Sequence, residues 1–379
     1  MGKKFDTIIV GASCAGLRAA ELLAAAGQRV LLVERRDRID SLSRTWIVTE
    51  HLEPVLGFTP HQAIVHRTAV MRMYAGTAAR EVRLANPDLI VERARILPML
   101  AERAARAGAE IRLGCPVRSI EDSGSALTLR MDGRGQGGEQ LEAADALIGA
   151  DGARSTVARR FGAKPQNVVP IVQAKIDLPS GYDANVTEIW FQPAATRFFF
   201  WLIPESTRSG ALGVIAERTC NARGLLDRFL QNHGLQAREY QGAMIPLHQP
   251  FRRIEWTLRG GQRVLLVGDA AAHVKVTTVG GLVSGLWGAR AAADALVRGT
   301  SYRTELRGLH AELYIHDLMR WVLDRFSSHD YERMLALLGH GLQTVLGRHN
   351  RDSVARAKWS LVAAQPRILT LAAKAILFP

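Results

Sequence analysis

The stretch FDTIIVGASCAGLRAAELLAAAGQRVLLVE, residues 5–34, reads as a strand, a tight turn, a helix and a second strand. Thr7 to Val10 is a β-branched run that ends at Gly11. Ala15 to Ala26 is rich in Ala and Leu and stops at Gly27, and Arg29 to Val33 forms the next strand. Glu34 follows Gly16 by eighteen residues, close to the offset of about 20 at which an acidic side chain meets a ribose hydroxyl. A carboxylate there disfavours a 2′-phosphate, so the pattern predicts FAD or NAD and not NADP. The glycine loop runs Gly11-Ala12-Ser13-Cys14-Ala15-Gly16, with serine at the middle glycine. A side chain that small still lets the backbone approach a pyrophosphate at the positive helix N-terminus, and its hydroxyl adds a donor.

Outward from this unit, 379 residues with 47% hydrophobic content suffice for about two closely joined domains. The formal charge is +13, which either favours anionic partners or reflects a basic background. The arginines are scattered and no nucleic-acid module accompanies them, so nucleic-acid binding is not expected. Three cysteines, Cys14, Cys115 and Cys220, form no C-x-x-C pair; neither a disulfide framework nor a metal site is expected, and a reducing cytoplasmic setting is. The chain enters its first strand within a few residues without an apolar leader. No apolar run reaches the length of a membrane span, although RILTLAAKAILFP at the C-terminus is apolar with Arg367 and Lys374 interspersed. Peripheral membrane contact is therefore left open, and the oligomeric state is not legible.

After Glu34, the basic Arg35, Arg36 and Arg38 precede DSLSRTWIVTE, which has no clear period and reads as a loop. Alternation from Ile64 to Leu84 predicts two or three strands, and a helix is expected from about Ile96 to Ala107 with Pro98 in its first turn. The DGRGQGG run reads as a hairpin loop because no helix start follows it. Ala146 to Gly149 returns to the central sheet and ends at Asp151-Gly152. From Pro170 to about Glu217 aromatic and β-branched strands predict a second, mostly antiparallel sheet. Its aromatic residues either pack under helices or, on one alternate face, line a greasy pocket. Val264 to Val267 is a buried strand closed by Gly268-Asp269, and a helix begins near Gly280-Gly281. From Thr304 onward the chain is helical and basic in composition.

Together these pieces resemble the flavoprotein group typified by para-hydroxybenzoate hydroxylase, and within it the geranylgeranyl reductase family. The resemblance spans nearly the whole chain to about Leu296. It implies an α/β fold: a discontinuous Rossmann-type FAD-binding domain (1–62, 88–165 and 260–300), an antiparallel β-sheet substrate domain (63–87 and 166–259) and a C-terminal helical region (301–379). By this resemblance Gly11, Ser13 and Gly16 hold the FAD pyrophosphate, Glu34 the adenosine ribose, and Arg93 contacts the cofactor from the side. Asp151-Gly152 and Gly268-Asp269 match two group motifs, and Gly280, Gly281 and Leu282 present amides to the pyrimidine edge of the flavin. Cys14, Ala15, Arg35 and Val117 complete the expected cofactor set. The family carries a triple glycine after KPTT or a similar run, where this chain has KVTTVGGL, with Val276 for proline and Val279 for the first glycine.

Phe199, Trp201, Ile203 and Pro204 lie in FFWLIP, which is similar to the reductases' aromatic-x-Trp-x-Phe-Pro substrate motif. The implied activity is hydride transfer from reduced flavin to isolated C=C bonds of a polyprenyl lipid. His273 and Lys275 are the candidates near the flavin edge, either as proton donors or as structural partners. NAD(P)H or ferredoxin would supply electrons, since no second dinucleotide fingerprint is present. A flavin monooxygenase shares every cofactor motif. A non-redox prenyl-binding protein, as in Rab GDP-dissociation inhibitors, would not need an unbroken FAD signature. FFWLIP is also similar to the Trp-x-Trp-x-Ile-Pro run of flavin halogenases, but no lysine occurs between Lys4 and Lys164, where their catalytic lysine falls.

Overall fold

The computed structural model describes residues 4–39, 44–133 and 138–377. Strands Phe5–Val10, Val30–Glu34, Glu110–Leu113, Glu139–Gly149 and Arg263–Leu266 form the parallel core of the first sheet. Glu255–Thr257 pairs antiparallel at one edge, and the hairpin Val117–Asp122/Leu127–Asp132 attaches to the outer half of Glu139–Gly149. Residues 8–10, 30–33, 146–148 and 264–266 are continuous apolar runs because both of their faces are covered. Ile8, Ile9, Leu31, Leu32, Leu147 and Ile148 are fully buried, each contributing about 1.5–3 kcal/mol relative to exposure. Helices Cys14–Ala25, Arg93–Arg106 and Leu282–Arg298 cover one face.

Phe5–Val10 lies between Val30–Glu34 and Glu139–Gly149. The connections from it and from the neighbouring strand leave in opposite directions, opening a crevice at the C-terminal strand ends where ligands of open α/β sheets bind.

The second sheet runs in the order Ala237–Pro246, Val168–Asp177, Ser209–Ile215, Phe200–Pro204, Val186–Phe191, Ile64–Ala75, Ala78–Glu92, Thr45–Val48. It is antiparallel except where Val186–Phe191 pairs parallel with Ile64–Ala75. Alternation along Phe200–Pro204 divides its residues: Phe200 and Leu202 pack beneath helix Ala222–Asn232, while Trp201 and Ile203 face the other way with Phe198. The C-terminal helices Ser328–Ala336 and His340–Arg348 lie over Ile64–Ala75 and Ala78–Glu92.

Several expectations need correction. Thr45–Val48 is a strand of the second sheet, paired with Leu89–Glu92; its four residues are too few to display a period. The rest of the expected loop, residues 40–43, lies outside the described residues, as do 134–137 of the glycine-rich run. Ala78–Glu92 stays in the second sheet past residue 87, and Glu255–Thr257 belongs to the first, so the sheets exchange chain at other points than 62, 87 and 259. Helix Arg93–Arg106 starts three residues early because the Glu92 carboxylate caps it, accepting from Ala94 N at 3.1 Å. Pro98 is therefore in the second turn.

Candidate functional site

The strand ends of the first sheet and the inward face of the second enclose one cavity of about 1380 Å³, larger than the roughly 300–1,000 Å³ that serves a single drug-sized ligand. At its first-sheet end lies the glycine loop. Gly11 has φ +105°, and a Cβ there would sit 2.6 Å from Ala150 O. A Cβ on Gly16 would meet Gly11 O at 2.2 Å. Both glycines thus let turn, helix and strand end touch, and Gly16 does so from behind the cavity wall. Ser13 is the helix N-cap, its Oγ accepting from Gly16 N at 3.2 Å, so the hydroxyl proton is left to donate outward. Cys14 and Ala15 line the cavity in the first helical turn, where amides have no intrahelical partner. Burial pushes the Cys14 thiol up to about 12, which makes it inert.

Glu34 accepts from Ala12 N at 2.8 Å and from Arg36 N at 3.1 Å. Its carboxylate thereby locks the glycine loop to the end of the second strand while bordering the cavity with Arg35. Arg93 projects from the start of its helix, 5.8 Å over the Trp46 ring, beside Arg44, which sequence reading missed. Burial and then each other's charge push Arg44 down; burial and Arg36 push Arg93 down. Asp269 is pushed up by burial and held back by these two guanidiniums. Among the described residues neither guanidinium has a bonded carboxylate, so two half-buried cations converge on the glycine loop. An anion of two phosphates suits that place.

Val117, Gly152, Gly268, Gly280, Gly281 and Leu282 also line the cavity. Asp151 Oδ2 accepts from Thr156 N at 2.6 Å, capping the helix Thr156–Arg160, while Oδ1 is buried without a partner among the described residues. Thr278 Oγ1 is likewise unpartnered. Gly152, at φ +82°, has nothing within 4 Å of where a Cβ would be. Orphaned polar atoms around open space, together with the cationic pair, fit FAD: glycine-loop amides and arginines for its pyrophosphate, Asp151 and Thr278 for hydroxyl or ring polar groups. Val279, in the place of the family's first glycine, adopts φ +53°. A β-branched residue in that region is strained by about 1–3 kcal/mol, and its side chain packs with Phe198, Trp201 and Ile203.

The opposite wall is apolar. Phe199, Trp201 and Ile203 line it with Met71, Ile189 and Phe191, whereas Pro204 sits at the strand end away from the cavity. A Cβ on Gly213 would lie 2.2 Å from the Trp201 ring, so this glycine makes the bed on which the indole lies. His273 is turned away from the cavity. It is buried beneath Gly288, neither ring nitrogen has a partner among the described residues, and burial drives it down to about 3. Lys275 does reach the cavity, in a buried ion pair with Asp352. Next to it Arg351 bonds both oxygens of Asp88 at 2.9 and 2.7 Å, Thr49 donates to Asp352 at 2.6 Å, and Thr277 meets His316 at 2.6 Å. Sequence reading missed Asp88, Thr277, His316, Arg351 and Asp352. Only Thr277, beside Gly280 in KVTTVGGL, carried a local signal.

Digeranylgeranylglycerophospholipid reductase 2 of Methanothermobacter thermautotrophicus is 29% identical over 306 residues, 74% of either chain. Geranylgeranyl diphosphate reductase of Rhodobacter capsulatus is 28% identical over 313 residues, 77% of this chain and 75% of the relative. The solved geranylgeranyl bacteriochlorophyll reductase-like protein of Thermoplasma acidophilum superposes with a TM-score of 0.82 over 98% of this chain and 99% of its own at 17% identity, a likeness of fold. The model of the FAD binding domain family matches residues 4–299, from the first strand through the helix that closes the crevice, and the chain belongs to that family.

Proposed function

We propose that this protein is an FAD-dependent reductase of isolated C=C bonds in a polyprenyl, geranylgeranyl-type lipid. The observation that carries the reading is the continuity of one cavity from the glycine-loop cradle to the apolar wall of Phe199, Trp201 and Ile203. The names of the two relatives support the same substrate class. Bound FAD supplies a hydride donor once reduced by NAD(P)H or ferredoxin. Gly11, Ser13, Cys14, Ala15, Arg44 and Arg93 fix the pyrophosphate, Glu34 the ribose, and the amides at Gly280–Leu282 face the ring edge where negative charge accumulates. The aromatic wall excludes water and aligns the alkene, so the protein contributes mainly placement and a dry site.

No helix among the described residues is long and apolar enough to cross a membrane. Tyr314, Leu318 and Trp321 are exposed on one stripe of helix Arg307–Leu323, with Arg325 stacked on Trp321 at 4.2 Å. Trp359 is 74% exposed under Lys358. Aromatic residues beside cations on a +13 chain suit an anionic lipid surface, the place where a polyprenyl lipid resides.

The test is an anaerobic single turnover. The FAD-loaded protein is reduced with dithionite, a geranylgeranyl lipid is added, and flavin absorbance and lipid mass are followed. Return of the yellow colour with a gain of about two mass units, one hydride and one proton, is the expected result, and Trp201→Ala should slow it. A flavin that stays reduced until oxygen enters would replace this reading with a monooxygenase.

A further inference from the structure

Reduction of an alkene consumes a proton as well as a hydride, and the cavity holds few groups able to give one. Cys14 is too weak an acid, and the Lys275 ammonium is engaged by Asp352. His273 is outside the cavity. Cys115 and His349 also border the cavity, but the group in it with a hydrogen-bonded chain behind it is a hydroxyl, imidazole and carboxylate in series. Thr277 borders the cavity three residues before Gly280, and its Oγ1 lies 2.6 Å from His316 Nδ1. His316 Nε2 lies 3.0 Å from the carbonyl oxygen of Arg351, an acceptor only, so the Nε2 proton is fixed there and Nδ1 is the nitrogen that exchanges its proton. Glu312 Oε1 is 3.5 Å from the same ring. The Glu312 carboxylate is held in place by Val354 N at 2.7 Å and Ala355 N at 2.9 Å, at the start of helix Val354–Ala364. Burial alone would raise Glu312, but His316 and the two amides hold it below the usual carboxylate range. An ionised carboxylate therefore faces the ring.

We propose that Thr277 is the proton donor of the alkene reduction, recharged by His316, with Glu312 as the positioning residue that stabilises the imidazolium. This rests on the reductase reading above. In the step, the Thr277 O–H bond breaks as a C–H bond forms at one alkene carbon, while hydride from the reduced flavin bonds to the other. The His316 Nδ1–H proton passes to Thr277 Oγ1, leaving neutral imidazole with Nε2–H still on Arg351 O. One C=C bond would become a CH–CH bond at the expense of the hydride that reduced flavin would supply, and after the product leaves Nδ1 takes up from bulk solvent the one proton that the net reduction consumes. Glu312 faces His316 from its own helix, and the neighbouring charged groups are Lys275 from the loop before Gly280, Arg351 and Asp352 from the C-terminal segment, and Asp88 from strand Ala78–Glu92. Lys275 is paired with Asp352 and Arg351 with Asp88, which leaves Glu312 as the carboxylate beside the imidazole.

Thr277→Val, Thr277→Ser and His316→Gln are compared with the wild type as FAD-loaded, pre-reduced protein under anaerobic conditions, with geranylgeranyl lipid as the oxidant. Thr277→Val should slow flavin reoxidation by roughly a hundredfold or more, with the flavin midpoint potential and lipid affinity unchanged. Thr277→Ser should restore most of the rate, and His316→Gln should slow it as Thr277→Val does. Independently of turnover, ¹⁵N spectra of the FAD-free protein should show the His316 Nδ1 resonance moved by Thr277→Val and not by Thr277→Ser. Reoxidation of Thr277→Val at the wild-type rate, or an Nδ1 signal indifferent to it, overturns the relay. Wild-type protein that fails to be reoxidised by the lipid overturns the reductase reading itself, a result distinguishable from the first because the variants then have nothing to slow.

Discussion

Replacing Lys275 with Met, Asp352 with Leu, and both together tests how the C-terminal segment is fastened to the loop before Gly280. The two side chains are each 6% exposed and joined in an ion pair, with Thr49 and Arg351 as the neighbours of the carboxylate. Removing one partner of such a pair strands the other charge and costs about 3–5 kcal/mol, whereas replacing both with apolar groups is often close to neutral. Asp352→Leu, alone or in the double variant, also strands the Thr49 hydroxyl, a loss of about 1–3 kcal/mol. Lys275→Met should therefore unfold about 3–5 kcal/mol more easily, Asp352→Leu by that and about 1–3 kcal/mol more, and the double variant by no more than about 3 kcal/mol. The coupling, several kcal/mol, far exceeds the ~0.5 kcal/mol scatter of independent sites. Urea unfolding followed by tryptophan fluorescence reads it, with similar m-values required for the comparison. Burial would raise Asp352, but Lys275 and Arg351 outweigh it and hold the group at about 2. Its contribution is thus present above the unfolded value of 3.8 and lost as pH falls towards 2, and Asp352→Leu should lack that acid limb. Additive single-site losses, or singles costing under about 1 kcal/mol, would refute the picture of a buried, charge-paired fastening.

Gly16→Ala places a methyl 2.2 Å from Gly11 O, a backbone atom that cannot rotate aside; the protein should lose about 1–3 kcal/mol of stability and be purified with markedly less FAD, and a fully yellow variant melting like the wild type would contradict the packing account. His273→Leu removes a buried imidazole that titrates near 3 instead of 6.5. The unfolded chain binds more protons between those values, so wild-type stability is full above pH 6.5 and falls towards pH 3. Thermal melts of the variant should lose that slope while turnover stays intact, and a catalytic loss would return His273 to the reaction.

The legible part of this protein was the part built from neighbours in sequence. The unit Phe5–Glu34 announced itself because a turn glycine, a helix stop and an acidic strand end fall within thirty residues, and each is set by local backbone requirements. The resemblance then carried the reading to Asp151, Asp269 and Gly280–Leu282, which the structure brings around one cavity. Alternation in FFWLIP separated Trp201 and Ile203 from Phe200 and Leu202 before any fold was known, since a strand must present them on opposite faces. Thr45–Val48 escaped because four residues show no period, and its pairing partner Leu89–Glu92 is more than forty positions away. The side chosen by His273 and the partners of Lys275 were decided by tertiary structure alone. Asp352 lies 77 positions from Lys275 and His316 lies 39 from Thr277. Nothing local to either end encodes those contacts; they exist because the C-terminal helices fold back over the second sheet, excluding water from charges that pair only once desolvation makes pairing obligatory.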